Sequence, residues 1–519
     1  MGKSNVIFKT YNQQQAMLLP PDLEELVEKT HPVRIINTII DRLNIDGIIS
    51  QYKGGGTSSH HPRMLLKALV YAYICNEYSS RRIEQLLKRD VYFMWLTAMS
   101  TPDHNTINRF RSDKLKDVLK DIFSQIVQLL VSSGHIGLKD INVDGTKIEA
   151  NANRYTFVWG GSIKTSREKI AAGLEDLWNY AESVAAEELK DKRPSSFAPT
   201  DPQSVQQTID ELNAALKNKA VDKKVKQKLN YAGKNWPANT AKYNEQEKIL
   251  AGRNSYSKTD PSATFMRMKE DHMKNGQLKP GYNLQLSTEN QFIVNYTLHS
   301  NPTDTLTLPA HIEDLEQQTG TTPTTLTADA GYGSEQNYEV LATKNIEAFV
   351  KYNYFDQEQQ GKRSGFAADQ LYYNSKEDYL VCPMGQHMHN AGTYNTTNRS
   401  GYQQTITRYQ ATDCNSCPLR GMCHKQKGNR IIEVNHRLRI LKQQAAERLR
   451  SLDGIARRKN RCADIEPVFA NIKHNKGFRR FMLRGIEKVL IETGLIAMAH
   501  NLQKFTKAHH NAKTTKKAA

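Results

Sequence analysis

Two aspartates in this sequence follow short apolar segments that resemble buried strands. Asp144 stands in KDINVDGTKIEAN after Ile141 and Val143, and Asp329 follows TTLTA at residues 324–328. Aspartate is depleted in strands, and a carboxylate at the edge of an apolar segment costs free energy unless something pairs with it. Ligands gather at the carboxyl ends of strands in open α/β sheets, so the two side chains could converge although 185 positions separate them. Either aspartate alone is more often a turn former.

A third carboxylate is found near the C-terminus, in DIEPVFANIK. Glu466, Ala470 and Lys473 are spaced i, i+4 and i+7, which places them on one stripe of a helix. Proline is tolerated in the first turn of a helix, so Pro467 predicts that Glu466 lies near the helix start, where the dipole favours a carboxylate. Helical spacing alone is equally typical of a solvated, salt-bridging face. The rival acids in this region are Asp464, Glu487 and Glu492.

Three converging carboxylates would repel one another unless divalent cations lay between them. Mg²⁺ binds a few carboxylates together with phosphate oxygens and water, and Mn²⁺ could replace it. Two such ions about 3.5–4 Å apart activate the attacking oxygen and stabilise the leaving oxygen in phosphodiester displacement. The formal charge of +18 favours a polyanionic partner, of which nucleic acid is the leading candidate. Together these features predict metal-dependent DNA strand cleavage or transfer.

Four of the six cysteines lie in one polar segment. Cys414, Cys417 and Cys423 form a C-x2-C-x5-C cluster, and Cys382 could supply a fourth thiolate to a structural Zn²⁺ site. The alternatives are free buried thiols, or one of the neighbouring histidines in place of a cysteine: His387, His389 or His424. Cys75 and Cys462 stand in helical patterns and are predicted to be small core residues.

The elements that would position these residues are an N-terminal group of helices and a later α/β succession. Apolar residues recur at helical spacing up to about residue 134, and Thr101 followed by Pro102 predicts the start of a helix carrying Arg109 and Arg111. Basic residues on short helices are compatible with a helix-turn-helix DNA module, and equally with a helical cap. The chain then gives a strand, a strand pair turning at TENQ, a helix near 308–318, a strand and a helix.

Two insertions are predicted within this succession. Residues 162–254 are polar and helical in pattern and predict a helical hairpin broken by a loop at 193–204, whereas residues 353–430 are irregular and hold the clustered cysteines. The predicted domains are an N-terminal helical DNA-binding domain (1–136), a catalytic domain (137–505) with a helical insertion (160–255) and a Cys-rich insertion (353–430), and a disordered basic tail (506–519).

Stretches along most of the chain resemble the DDE (Asp-Asp-Glu) transposases of bacterial insertion sequences, in the branch with a cysteine-rich insertion. They run in order as HPRMLLKALVYAY, SSRRIEQLL, TPDHNTINRFR, VDGTKIEANANRY, SKTDPSATFM, GYNLQL, ADAGYGS, CNSCPLRGMC, DIEPVFANIK, FRRFMLRGIEKV and AHNLQK. The resemblance implies a ribonuclease-H-like α/β core with a mixed sheet flanked by helices. It also implies a synaptic complex of at least two subunits with two DNA ends.

Carried over by position, the family's acidic triad is Asp144, Asp329 and Glu466, which would hold the metal ions. Lys473 matches the basic residue two turns after the Glu and would contact DNA phosphate. An Arg before the Glu matches Arg461, with Arg458 behind it. The sequence departs from the family in lacking a placeable Tyr ahead of that Arg and in having Ala470 where relatives often have Gly.

The resulting hypothesis is a transposase that binds the terminal inverted repeats of its element, cuts each end and joins the freed 3′-OH to target DNA. One alternative is a nuclease of the same fold that cuts without joining, and another is a DNA-binding regulator derived from a transposase. The N-terminus lacks the apolar core of a signal peptide, and the run MLLKALVYAYIC is too short and too charged to span a bilayer. A cytoplasmic, nucleoid-associated bacterial protein without membrane contact is therefore expected.

Overall fold

The computed structural model describes residues 22–52, 59–268, 276–398 and 400–518, with side chains up to residue 510. The chain divides into two compact units, residues 1–118 with 501–519, and residues 119–500. This division differs from the predicted domain limits at 136 and 505. The first 21 residues, where the lack of a signal peptide was expected, lie outside the described residues.

The first unit is helical. Its elements are α1 (Leu23–Leu26), α2 (Pro32–Arg42), α3 (Asp46–Ile49), α4 (Pro62–Ile74), α5 (Ser80–Arg89), α6 (Val91–Leu96) and α7 (His104–Arg109). The prediction that a helix starts at Thr101–Pro102 is wrong by two residues, because the Asp103 side chain caps α7 by accepting from Thr106 N at 2.8 Å. Arg109 is exposed, but Arg111 is only 3% exposed and donates to Tyr78 O at 2.7 Å.

The second unit combines one central sheet with two inserted structures. Its first part runs through α8 (Leu119–Ser132), β1 (Asp140–Glu149), β2 (Phe157–Trp159), α9 (Gly160–Val184), α10 (Pro202–Leu216), α11 (Lys223–Leu250), β3 (Ser255–Ser257), β4 (Thr264–Arg267), β5 (Leu278–Glu289), β6 (Phe292–His299), α12 (Leu308–Thr319) and β7 (Thr325–Ala328). It continues through α13 (Glu335–Thr343), β8 (Glu347–Val350), α14 (Phe355–Gln359), β9 (Tyr373–Asn374), β10 (Tyr379–Val381), β11 (His387–Thr397), β12 (Gln403–Ala411), β13 (Ile431–Val434), α15 (His436–Arg450), α16 (Leu452–Ala470) and α17 (Ile486–Ala518), whose residues from 501 onward belong to the first unit.

The central sheet is mixed. Strand β1 pairs antiparallel with β5 and parallel with β7, β8 extends the parallel side, and β6 and β4 both pair antiparallel with β5. The turn from β5 to β6 has positive φ at Asn290 and Gln291, as a tight hairpin requires. The predicted strand pair turning at TENQ and the helix near 308–318 are confirmed, and the mixed α/β class is as expected.

The helical insertion contains three helices, so the predicted hairpin is incomplete. Asp201 caps α10 by accepting from Ser204 N at 2.9 Å with Pro202 at the first helical position, so a helix begins inside the segment predicted as a loop. The insertion has a separate hydrophobic core, which includes Leu174, Trp178, Ile209, Leu212 and Trp236.

The Cys-rich segment is an antiparallel sheet of five strands in the order β13-β12-β11-β10-β9, so the prediction that it is irregular is wrong. Most side chains of β11 are exposed, which leaves no apolar alternation for a sequence pattern to reveal. Its core contains only six buried residues, Leu380, Met388, Tyr409, Ala411, Cys414 and Ile432.

Three further expectations are corrected at the C-terminal side and at two cysteines. Pro467 lies inside α16, so Glu466 is not near the start of that helix. The tail expected to be disordered is helical as far as Ala518, as its Ala and Lys content allows. Cys75, at the end of α4, and Cys462, on α16, are exposed and are not core residues. Within the described ranges, no helix is long and apolar enough to cross a membrane.

Candidate catalytic site

Asp144 and Asp329 lie side by side at the centre of the main sheet. The parallel pairing of β1 with β7 ends at Val143 opposite Ala328; Asp144 is the next residue within β1, and Asp329 directly follows the end of β7. Neighbouring strands are about 4.8 Å apart, so the two carboxylates lie close together where the pairing of β1 with β7 ends. Gly145 N donates to Asp144 Oδ1 at 2.7 Å and Gly331 N to Asp329 Oδ1 at 2.9 Å. A backbone donor therefore orients each carboxylate.

Arg461 brings a positive charge from α16 to these two acids. Its Nη1 is 3.1 Å from Asp144 Oδ2, and the two side chains are 12% and 10% exposed. Burial acts to lower the pKa of Arg461, but the charges of Asp144 and Asp329 outweigh it and raise that pKa. The guanidinium therefore stays charged and compensates the buried carboxylate.

Arg457, one turn earlier, fixes α16 to the start of the same two strands. Its Nη1 donates to Asp140 Oδ1 at 2.7 Å and to Thr325 Oγ1 at 2.8 Å, and its guanidinium lies over the Phe349 ring at 4.9 Å. The helix is therefore attached at both ends of the strand pair that carries the aspartates.

Glu466 and Lys473 lie in the last part of α16 and in the turn that follows it. Glu466 is exposed and lies beside Cys462, whose pKa is raised by burial and then by this carboxylate. Lys473 is 6% exposed in the π-helical turn Asn471–Asn475 that follows α16. Arg458 lies over the Phe355 ring at 5.3 Å, away from Asp144.

Two of the rival acids have structural partners. Asp464 is 4% exposed and its Oδ1 accepts from Thr288 Oγ1 at 2.6 Å and from Gln291 N at 3.2 Å. Glu492 is fully buried and accepts from the backbone of Met482 and Leu483. Glu487 is exposed in the first turn of α17. Asp464 and Glu492 thus serve the fold, which leaves Glu466 as the more available carboxylate.

Sequence reasoning missed a further acid, Asp304, at the turn before α12. Its Oδ1 accepts from Asn283 Nδ2 at 2.7 Å and from Gln285 Nε2 at 2.8 Å. A β-carbon at Gly331 would lie 3.0 Å from Asp329 Oδ1 and 3.5 Å from Asp304 Oδ2, so these two carboxylates face the same small space. A β-carbon at Gly145 would lie 2.5 Å from Asp304 Oδ1, which explains the glycine after Asp144.

Tyr332 is buried close to these acids. Its hydroxyl donates to Gln285 Oε1, and the side chain is fully buried. Burial, followed by the charges of Asp304, Asp144 and Asp329, raises the pKa of Tyr332 well above its ordinary value. The phenol therefore remains a neutral donor beside three carboxylates. No sequence signal identifies Asp304, because PTDTLTLP is typical of an ordinary helix start.

The chemistry of this donor set fits a hard divalent cation, since Asp144, Asp329 and Asp304 offer only oxygen ligands. As the side chains stand, no three His, Cys, Asp or Glu groups in the described ranges form a cluster that could hold a metal ion.

Comparisons with known families assign both ends of the chain. A family model described as Transposase DDE domain matches residues 381–506, which include Arg461, Glu466 and Lys473. A second, described as Transposase domain (DUF772), matches residues 21–113. A search of curated proteins finds no match. The matched DDE domain implies a ribonuclease-H-like core and DNA as the partner. Both matches support an insertion-sequence transposase of the DDE type.

Proposed function

We propose that this transposase binds the terminal inverted repeats of its element, hydrolyses one phosphodiester at each end and transfers the freed 3′-OH to target DNA. The observation that carries the proposal is that Asp144 and Asp329 each follow directly after the last paired residues of two parallel strands. Arg461 contacts Asp144 from α16 at 3.1 Å. Two acids so placed, in a chain of charge +18, suit a reaction on a polyanion.

Asp144, Asp329 and Glu466 would hold two Mg²⁺ or Mn²⁺ ions. When bound, such ions activate the attacking oxygen and stabilise the leaving oxygen of an in-line displacement. The side chain of Glu466 is exposed on the helix that Arg461 attaches to Asp144, so it would be accessible to the ions and DNA. Asp304 faces the same space as Asp329 and would help to orient the metal ions there.

The basic residues have two separate roles. Arg461 holds Asp144 in its orientation through the contact between the guanidinium and Asp144 Oδ2. Lys473 would contact DNA phosphate from the end of α16, and Arg461 would reach a phosphate oxygen beside Asp144.

The proposal is tested with purified protein, Mg²⁺ and a DNA fragment that carries the two ends of the element. Cleaved ends and products joined to a target plasmid are expected, and Asp144→Asn or Asp329→Asn should remove both while end binding persists. Asp314→Asn, which neutralises an acid of α12 that pairs with Lys120, is a matched control.

The outcomes separate the alternatives. Cleavage without joining would identify a nuclease, and end binding without cleavage would identify a regulator, and either would overturn the proposal. Full strand transfer by Glu466→Gln would exclude Glu466 as the third ligand. Two subunits with two DNA ends in one complex, measured by light scattering, are expected because each element has two ends to join. We place this activity at the bacterial nucleoid.

A further inference from the structure

The five-stranded sheet β9–β13 borders a small cavity that is rich in cysteine. The cavity has a volume of about 20 Å³, and four cysteines border it: Cys382, Cys414, Cys417 and Cys423. None of the six cysteines, all of which lie in described residues, forms a disulfide. A volume of this size suits a single ion or water molecule.

Hydrogen-bond donors already point at three of the sulfurs. Met384 N donates to Cys382 Sγ at 3.3 Å, Arg430 N to Cys414 Sγ at 3.5 Å, and Arg430 Nη1 to Cys423 Sγ at 2.9 Å. A neutral thiol is a weak acceptor, whereas a thiolate gains from such donors. The same donors would stabilise the sulfurs as metal-bound thiolates.

His424 supplies a second, independent observation. It borders the same cavity, and both of its ring nitrogens are buried without a hydrogen-bond partner. Buried polar atoms are nearly always paired in folded proteins, so an imidazole with neither nitrogen satisfied indicates a missing ligand or anionic acceptor.

Charged side chains border the cavity as well. Arg420, Arg430 and Asp413 all line it, and Arg430 is 8% exposed. A divalent ion with four thiolates carries a net charge of about −2, which two guanidinium groups and one carboxylate reduce to about −1.

We propose that Cys382, Cys414, Cys417 and Cys423 bind one Zn²⁺ as thiolates, with His424 donating a hydrogen bond to one of the sulfurs. As the side chains stand, no three donors in the described ranges are closed around a metal position. Rotation of the thiols into the shared cavity would bring them to the Zn–S distance of about 2.3 Å.

The site stabilises the sheet that braces the catalytic core. The six-residue core of this sheet is too small to hold five strands unaided. The opposite end of β12 contacts α13, the helix that follows Asp329: Gln404 donates to Glu335 at 2.9 Å and Tyr402 to Glu339 at 2.5 Å. Zinc at one end of β12 therefore maintains the strand whose other end supports α13.

The test begins with metal content. The full chain, purified without a metal-affinity tag and dialysed, should contain about one zinc per molecule by mass spectrometry. Cys417→Ser should lose it, whereas Cys75→Ser, which removes an exposed cysteine of the other unit, should keep it. Zinc-free wild type, or equal zinc in both variants, would overturn the proposal.

Cobalt replacement tests the ligand set without relying on a variant that could misfold. Wild type loaded with Co²⁺ should show an intense thiolate charge-transfer band and tetrahedral visible bands. His424→Gln should keep one equivalent of zinc but release it faster to a chelator. Loss of zinc from His424→Gln with retention in Cys423→Ser would overturn the four-thiolate assignment.

Hydrogen exchange tests the role in the fold. Chelation of the wild-type protein should speed exchange in β11 and β12 by at least about tenfold, because the core of that sheet is small. Strand β1 should exchange as before. Unchanged protection of β11 and β12 after zinc removal would show that the ion does not support the sheet.

Discussion

Asp144 is a buried charge, and the residues around it determine what that charge costs. Its side chain is 10% exposed, one oxygen accepts from Gly145 N and the other from Arg461. Burying a lone carboxylate is far more costly than burying one with a charged partner and a backbone donor. Arg461 and Gly145 N therefore compensate part of the cost of burying this acid.

The first prediction concerns Arg461. Arg461→Gln should lower the free energy of unfolding of the second unit by about 3 kcal/mol, because it removes the charged partner of the buried Asp144 carboxylate. Urea unfolding without divalent cations measures this. Asp144→Asn with Arg461→Gln should recover most of the loss, since the uncompensated charge is then absent. Additive losses in the double variant would contradict an ion pair between the two residues.

The second prediction concerns Asp304. Asp304→Asn keeps an oxygen that can accept from Asn283 and Gln285, so the fold should be unchanged. Strand transfer should nevertheless fall by at least about 100-fold, because the charge facing Asp329 is removed. Asp314→Asn, an acid of the neighbouring helix α12 that pairs with Lys120, is the matched control. Equal activity of the two variants would remove Asp304 from the site.

At this scale, sequence alone could identify Asp144 and Asp329, because each follows a strand that is recognisable by its apolar residues. The convergence of these two residues depends on a parallel pairing that no local pattern encodes. Asp304 could not be identified, since its relation to Asp329 is made by Asn283 and Gln285 on another strand. The assignment of Glu466 came from resemblance and stays a prediction.

Among the elements, those with clear apolar periodicity were predictable and those with polar faces were not. The strands β1, β5, β6 and β7 are almost wholly buried. Strands β11 and β12 escaped recognition because both faces of β11 are largely exposed. Pro467 misled the placement of Glu466, because α16 tolerates a proline in its last turn, immediately before the π-helical turn Asn471–Asn475.

The contact of α12 with β5 and β6 yields the third prediction. His311 is fully buried, with Ser287 Oγ 2.8 Å from Nε2 and Thr297 Oγ1 2.7 Å from Nδ1. Burial, then the charges of His299 and Lys120, hold the pKa of His311 well below its ordinary value. Burial also lowers the pKa of His299 to about 4. Both imidazoles are therefore neutral in the folded protein.

Stability should consequently decrease on acidification. Below a pH of about 6.5 the unfolded chain takes up protons that the folded imidazoles do not, so the free energy of unfolding falls by about 1.4 kcal/mol per pH unit for each histidine. Above that pH the two histidines do not make the free energy of unfolding depend on pH. Below it, the decrease due to His299 continues to about pH 4. Urea unfolding between about pH 7.5 and about pH 5 measures the slope.

Histidine variants identify the source of this slope. His311→Gln should reduce the slope of the free energy of unfolding against pH by about 1.4 kcal/mol per pH unit. His389→Gln, which changes an exposed histidine on β11, should leave that slope unchanged. Parallel curves for wild type and His311→Gln would show that another group titrates.

For the molecule as a whole, the two insertions are additions to one central sheet. Trp159 pairs with Ser255 across β2 and β3, and Gly160 N donates to Asn254 O at 2.9 Å, so the helical insertion enters and leaves at one point. Its core of residues 170–236 draws on no strand of the central sheet. A part of the chain with its own core and adjacent ends can be removed without breaking the sheet.

The fourth prediction follows from this arrangement. Deleting residues 161–252 leaves Gly160, Arg253 and Asn254 as a three-residue loop between β2 and β3, a common hairpin length. Arg253 is retained because its guanidinium donates to Ser262 O and Pro261 O, each at 2.9 Å. The shortened protein should fold with its central sheet protected from hydrogen exchange. It should lose stability by only about 2–3 kcal/mol, because Val158 and Tyr256 lose the apolar cover of Ile163 and Leu250.

The isolated segment 160–254 provides the reciprocal test. It should be helical and unfold cooperatively, since Trp178 and Trp236 lie in its own core. Electrophoretic shift and cleavage assays on the shortened protein then show what the insertion contributes. Loss of end binding with an intact central sheet would assign DNA contact to the insertion, and unchanged cleavage would leave it as a spacer. A shortened protein with an unprotected sheet would contradict the separateness of the insertion, because the fold of β1 and β7 would then depend on α9–α11.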